Sequence, residues 1–250
     1  MPFSWKRETT RLLAPLGEQA AASLWGATAL VLMLIWLFAG SAGFFAARLA
    51  PAGWDAGRVE YWAVIYQFAT AFLLWLLVPL LLRRPLRLGR LDELGLGAGD
   101  VKAGLVVVLL GVLLVSIPGG LSAGELADFH TEYPLAKSAT SSLHAFMVYE
   151  LAYGLLYYTA WEAFFRGFLQ LGLSRHIGPA AAILVQATAS TLMHIGKPVG
   201  EVWAALAAGF LFGVLVLRTR SVWPLVIVHW ALGLATDLAC ARAAGLGIFS

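Results

Sequence analysis

Glu162 and Arg166 stand four residues apart in the run Tyr157-Tyr158-Thr159-Ala160-Trp161-Glu162-Ala163-Phe164-Phe165-Arg166-Gly167. On a helix that spacing puts both on one face. A carboxylate held by a guanidinium can bind or activate water, and the same pair can simply neutralise itself near a membrane interface. Two histidines widen the chemistry. His194 stands in Ser190-Thr191-Leu192-Met193-His194-Ile195-Gly196-Lys197-Pro198, and His229 ends the apolar run Trp223-Pro224-Leu225-Val226-Ile227-Val228-His229. An imidazole in so apolar a setting needs a partner, because an unpaired polar group in hydrocarbon is costly. Two imidazoles and a carboxylate on three segments suit either of two tasks. They can hold a divalent metal such as zinc, or hold a water for general-base attack on a carbonyl. No compact His-Glu-x-x-His helix is present, so spacing does not choose between them.

Glu150 and Asp237 complete the ionisable groups in the apolar runs. Glu150 lies three turns before Glu162, a net rotation of roughly 120°, and belongs to another side of its helix. Asp237 lies about 12 Å and roughly 80° beyond His229, so it is expected to orient a different polar group or to sit at the outer interface. His130, His144 and His176 fall in or beside polar connections and are expected to be solvated. Tyr149, Tyr153, Tyr157 and Tyr158 bracket Glu162; such aromatics mostly pack or anchor at the interface, with some left to line a cavity.

The elements that must position these groups are long and apolar. Of the 250 residues, 60% are hydrophobic and 12% charged, with a mean hydropathy of +0.81. That charge cannot coat a soluble domain of this size, and the hydrophobicity excludes disorder. The net charge of +3 fits basic cytoplasmic loops and implies membrane lipid, not nucleic acid, as the partner. One cysteine, Cys240, allows no internal disulfide.

A span needs about 20 apolar residues. Seven candidates follow: 22–47, 61–82, 101–117, 143–173, 179–195, 202–217 and 222–239, with an eighth if the long fourth run divides near Gly167. The runs are continuous and long, without the alternation of a barrel, so the fold class is all-α, a polytopic transmembrane helical bundle. It reads as a single membrane domain over 1–250, with 22–120 as scaffold and 143–239 as the core that bears the motifs. The first run is too long for a cleaved signal and reads as a retained anchor. Lys6, Arg7 and Arg11, then Arg83, Arg84, Arg87 and Arg90, and then Arg218 and Arg220, mark the basic connections; Glu125, Asp128 and Glu132 mark an acidic one. This bias puts the N-terminus and the 83–100 loop in the cytoplasm and the 118–140 loop outside. It suits a multi-pass protein of a bacterial inner membrane. Residues 90–95 read as a small interfacial turn or helix.

The chemistry-bearing segments resemble the CAAX-protease and bacteriocin-processing (abortive-infection-type) intramembrane endopeptidase family. Its first motif, Glu-Glu-x-x-x-Arg, stands here as Trp161-Glu162-Ala163-Phe164-Phe165-Arg166. The second, Phe-x-x-x-His, is matched by Ser190 to His194, and the third, His-x-x-x-Asn or Asp, in part by His229 to Gly233. The neighbouring Gly196-Lys197-Pro198 with Glu201, and 217–224, agree as well. The resemblance covers about 144–238. It implies an intramembrane endopeptidase acting on a membrane-associated peptide or protein, with Glu162, Arg166, His194 and His229 as its catalytic residues. Glu162 with His194 would hold the water, His229 would stabilise the oxyanion, and Arg166 would position Glu162. Metal dependence stays open.

Three positions depart from the family pattern. Trp161 replaces the first glutamate, Ser190 the second-motif aromatic and Gly233 the final Asn or Asp. They motivate the alternative of a catalytically inactive relative serving as a membrane binding or scaffold protein. Buried Glu and His also suit a proton path, against which stands the lack of an inverted repeat. Hydropathy places Glu162 toward one end of its span and His194 toward the opposite end of the next, whereas a common site needs similar depth.

Overall fold

Apolar runs of this length satisfy their backbone polar groups internally only as helices. The computed structural model describes residues 17–86 and 88–249, and among them no strand occurs. Lys6, Arg7, Arg11 and Arg87 lie outside the described residues. In chain order the main elements are α1 (Gly17–Ala39), α2 (Ala42–Arg48), α3 (Ala56–Leu82), α4 (Val101–Ala123), α5 (Ala127–Glu132), α6 (143–177), α7 (Pro179–Leu192), α8 (Val199–Thr219) and α9 (Trp223–Ala243). A 3₁₀ turn, Lys137–Ser141, precedes α6.

Five of these helices, α1, α3, α4, α8 and α9, are long and apolar enough to cross a membrane. Their outer faces carry exposed Leu30, Phe38, Leu81, Leu105, Leu114 and Trp203, as a surface bathed in lipid would. The fifth expected span is a shorter apolar helix, α7. The fourth is α6, whose middle is enclosed by the rest: 159–171 is buried without interruption. On one side α6 meets α1 and α3 through Trp25, Trp36, Trp75, Phe164, Phe165 and Phe168. On the others it meets α7, α8 and α9.

One expected boundary changes, and two readings left open are decided. The first run does not continue to residue 47. It stops at Ala39, and Ser41 caps α2 by accepting from Phe44 N at 3.2 Å. The carbonyls freed at this break are taken by α3: Tyr66 Oη donates to Ala39 O at 2.6 Å and Thr70 Oγ1 to Gly40 O at 2.7 Å. The fourth run does not divide at Gly167. α6 is continuous, with its hydrogen bonding widened to the π pattern over Tyr153–Tyr158 and Ala163–Leu171. Gly167 is there for close approach, since a Cβ on it would stand 2.7 Å from Leu94 O. Finally, the 90–95 segment is a turn that buries Leu94 in the core.

α4 packs along α9, with Gly104, Gly111, Gly120 and Gly124 at the contact. In lipid such small residues let helices approach closely enough for dispersion to hold them. α8 meets α4 over Val101–Gly111. That end is fastened by Asp100 N donating to Thr219 O at 2.7 Å and by an Arg218–Asp100 ion pair at 2.6 Å. Beyond it a cavity lies between the two helices.

Candidate active site

The widened turns of α6 flank one ordinary turn, Thr159–Glu162, and this turn carries the site. Glu162 is fully buried. Its Oε1 lies 2.7 Å from His229 Nδ1 on α9, and its Oε2 3.3 Å from Arg166 Nε. Arg166 is itself 2% exposed and lies over the Phe212 ring at 5.4 Å. The helical spacing thus does what the sequence implied, putting both charges on one face, and a third element supplies the imidazole. A histidine holding a carboxylate through Nδ1 donates from that nitrogen, which leaves Nε2 for the cavity.

His194 follows the C-terminus of α7, and its Nδ1 lies 2.8 Å from Ser190 O. A carbonyl only accepts, so Nδ1 carries the proton and Nε2 is the free edge. That edge lies 3.9 Å from Glu201 Oε1 in the first turn of α8. The Trp161 ring stands between the imidazoles, 5.2 Å from His194 and 6.3 Å from His229, edge-on to both. The contradiction in depth between Glu162 and His194 therefore disappears. α6 runs on to residue 177, so Glu162 is near the middle of its helix and level with the end of α7.

Both imidazoles, Trp161, Tyr158, Tyr133 and Glu201 border a cavity of about 390 Å³ whose outer part is walled by Gly119, Ser122, Ala204 and Ala208. A second cavity of about 220 Å³ shares those six residues and continues toward Gln67 and Tyr153. Arg166 and Ser190 also line the larger one. Ser190 is small where an aromatic would fill space. Gly233 faces Tyr158, whose hydroxyl occupies the volume a Cβ there would need. Among the described residues no group of three or more His, Cys, Asp and Glu is placed to hold a metal ion.

Glu150 and Asp237 form a separate buried cluster. Tyr149 Oη donates to Asp237 Oδ2 at 2.9 Å, and the buried Glu150 carboxyl lies beside Asp237 and the Trp230 indole. Asp237 thus orients a polar group other than His229, as its rotation on the helix implied, and it is buried, not interfacial. Nearby, the Lys137 ammonium reaches the carbonyls of His130 and Tyr133, the first at 2.8 Å. Burial pulls its pKa below the usual lysine range, with the charge of Asp237 opposing. Asp237→Asn keeps an acceptor for Tyr149 and is expected to fold normally. Asp237→Ala strands the Tyr149 hydroxyl and is expected to lose about 2 kcal/mol in thermal unfolding in detergent.

Of the solvated histidines, His144 is exposed, whereas His130 is half-buried with Nε2 2.8 Å from Gly124 O. All four bracketing tyrosines lie in the bundle; three are buried outright, with Phe68 stacked on Tyr153 at 4.5 Å, and Tyr158 packs on His229 at 4.5 Å. Glu201 and Tyr133 were missed as site residues. The sixth run was started at Val202, while α8 begins at Val199, so Glu201 fell outside the bilayer reading. The Gly196-Lys197-Pro198 turn was the signal that a helix starts there.

Residues 143–235 match the family model described as Type II CAAX prenyl endopeptidase Rce1-like. No curated protein and no solved structure matches the chain.

Proposed function

We propose, from the match of residues 143–235 to the Rce1-like type II CAAX prenyl endopeptidase model, a multi-pass intramembrane endopeptidase that hydrolyses a membrane-associated peptide or protein. One observation carries the reading: the fully buried Glu162 holds His229 Nδ1 at 2.7 Å at the wall of a cavity that His194 also lines. A carboxylate behind an imidazole fixes its tautomer and stabilises the charge it takes up with a proton. As the imidazolium that this carboxylate stabilises, His229 donates from Nε2 to the carbonyl oxygen of the scissile bond as negative charge develops there, and then to the leaving amine. His194, with its Nε2 free, accepts the proton of the attacking water. Glu162 serves His229 and not, as expected from the sequence, the water directly. Arg166 lies 3.3 Å from the second oxygen of Glu162 and positions that carboxylate against His229. The substrate reaches the site from the lipid between α4 and α8. The basic connections at Arg83, Arg84, Arg218 and Arg220 are the basis for placing the protein in a bacterial inner membrane, with these segments cytoplasmic.

The test is cleavage of membrane-anchored peptides by the full chain in lipid nanodiscs, wild type beside His229→Ala, with products read by mass spectrometry. The expected result is cleavage by wild type and a loss of about 10²–10⁴-fold in the variant. Equal cleavage by both overturns the role of His229. A folded wild type that cleaves nothing, with a membrane partner retained by both forms, is the result expected of a binding or scaffold protein, for which Trp161 in place of a glutamate is the argument.

A further inference from the structure

We propose that Glu201 is the carboxylate of the water-activating half of this site, acting with His194; the inference rests on the endopeptidase reading above. No carboxylate reaches His194 from α6. Residue 161 is a tryptophan, its indole packed edge-on to His194 at 5.2 Å. Glu162 has one oxygen on His229 and the other beside Arg166. Glu201 approaches from the opposite wall, in the first turn of α8, and borders both cavities. Its Oε1 accepts from Tyr133 Oη at 2.7 Å and stands 3.9 Å from His194 Nε2. Its Oε2 is buried and has no hydrogen-bond partner among the described residues. A separation of 3.9 Å is too long for a direct hydrogen bond and suits one water held by both groups.

The surroundings favour this use over a purely structural one. Lys197, the nearest cation, is paired with Glu132 and lies over the Tyr133 ring at 5.2 Å, so Glu201 is not consumed by an ion pair of its own. Tyr133 fixes one oxygen and thereby aims the other. The bond changes balance as simple hydrolysis. The water oxygen bonds to the scissile carbonyl carbon, one of its protons passes to His194 Nε2, whose positive charge Glu201 then balances, and the carbonyl π electrons move onto oxygen. The carbonyl re-forms and the C–N bond breaks as the amine takes the Nε2 proton of the His229 imidazolium, and the proton gained by His194 returns to His229 through water before the next turnover. A carboxylic acid and an amine leave, with no oxidant or reductant.

Two substitutions separate this role from packing. Glu201→Gln keeps the acceptor for Tyr133 but removes the charge that supports His194; Tyr133→Phe removes that bond but keeps the carboxylate. With a peptide that wild type cleaves in nanodiscs, Glu201→Gln is expected to lower kcat by about 10²-fold or more, with KM within about twofold. Tyr133→Phe is expected to stay within about tenfold of wild type. In Glu201→Ala, added formate is expected to restore part of kcat, and chloride none. Glu201→Gln with unchanged kcat overturns the proposal, as does a matching loss in both variants without formate rescue. If instead a folded wild type cleaves none of the peptides, it is the endopeptidase reading that fails.

Discussion

Glu162→Gln is expected to lower kcat by about 10³–10⁴-fold and, separately, to destabilise the bundle by about 3 kcal/mol or more. The two losses have different origins. The amide has the shape of the carboxylate, yet it carries no charge to stabilise an imidazolium at His229, 2.7 Å away. The stability loss comes from Arg166. Its guanidinium is 2% exposed, and Nε and Nη1 have no hydrogen-bond partner among the described residues. Its ion pair with Glu162 at 3.3 Å is then what compensates its burial. Without it a bare cation is enclosed, which costs more than the pair itself contributes. The double variant Glu162→Gln with Arg166→Gln isolates the two effects. It is expected to recover most of the unfolding temperature and none of the activity. Recovery of both would show that the pair acts only in folding.

The second large effect is expected far from the chemistry. Gly120→Val should lower stability by about 3 kcal/mol, the upper part of the range for overpacking, and reduce the folded yield from membranes. A Cβ at Gly120 would meet the Ala235 carbonyl carbon at 2.6 Å and Thr236 N at 2.8 Å. These are backbone atoms of α9 and cannot rotate aside, so the two helices must separate. Separation has a functional side as well, because Gly119 and Ser122 of α4 and Gly233 and Thr236 of α9 wall the larger cavity. Gly26→Ala is the control: nothing lies within 4 Å of its added Cβ, and it should be neutral or slightly stabilising. If Gly120→Val and Gly26→Ala unfold at the same temperature, the close α4–α9 contact is not what holds these helices together.

Composition and run length were enough to read a helical membrane bundle, because lipid leaves the backbone few alternatives. The pairing of Glu162 with Arg166 followed from helical spacing alone. The partner of His229 did not, since the contact joins α6 to α9 across 67 residues and nothing local encodes it. Hydropathy also misjudged two boundaries for a common reason. It scores side chains one window at a time and does not see a neighbour's hydroxyl. Tyr66 and Thr70 are what allow α1 to stop at Ala39 inside an apolar run. Likewise a π-widened helix whose middle is buried by other helices looks, by composition, like one lipid-facing span. The start of α8 was legible from Pro198 but was set three residues late, and that shift concealed Glu201.

On the endopeptidase reading, the cavity between α4 and α8 has a consequence for how this protein would experience its substrate. The two helices touch over Val101–Gly111 and leave the cavity beyond that contact, so molecules arriving along the bilayer plane meet the opening directly. For such a protein the controlling variable is crowding within a sheet, not molarity in a volume. Diluting the substrate with inert lipid at constant bulk amount would slow turnover, and diluting the whole suspension with buffer would leave it unchanged. Its saturation constant is then naturally a mole fraction of the membrane, and the cell's means of adjusting its rate include how densely it packs substrate among its lipids.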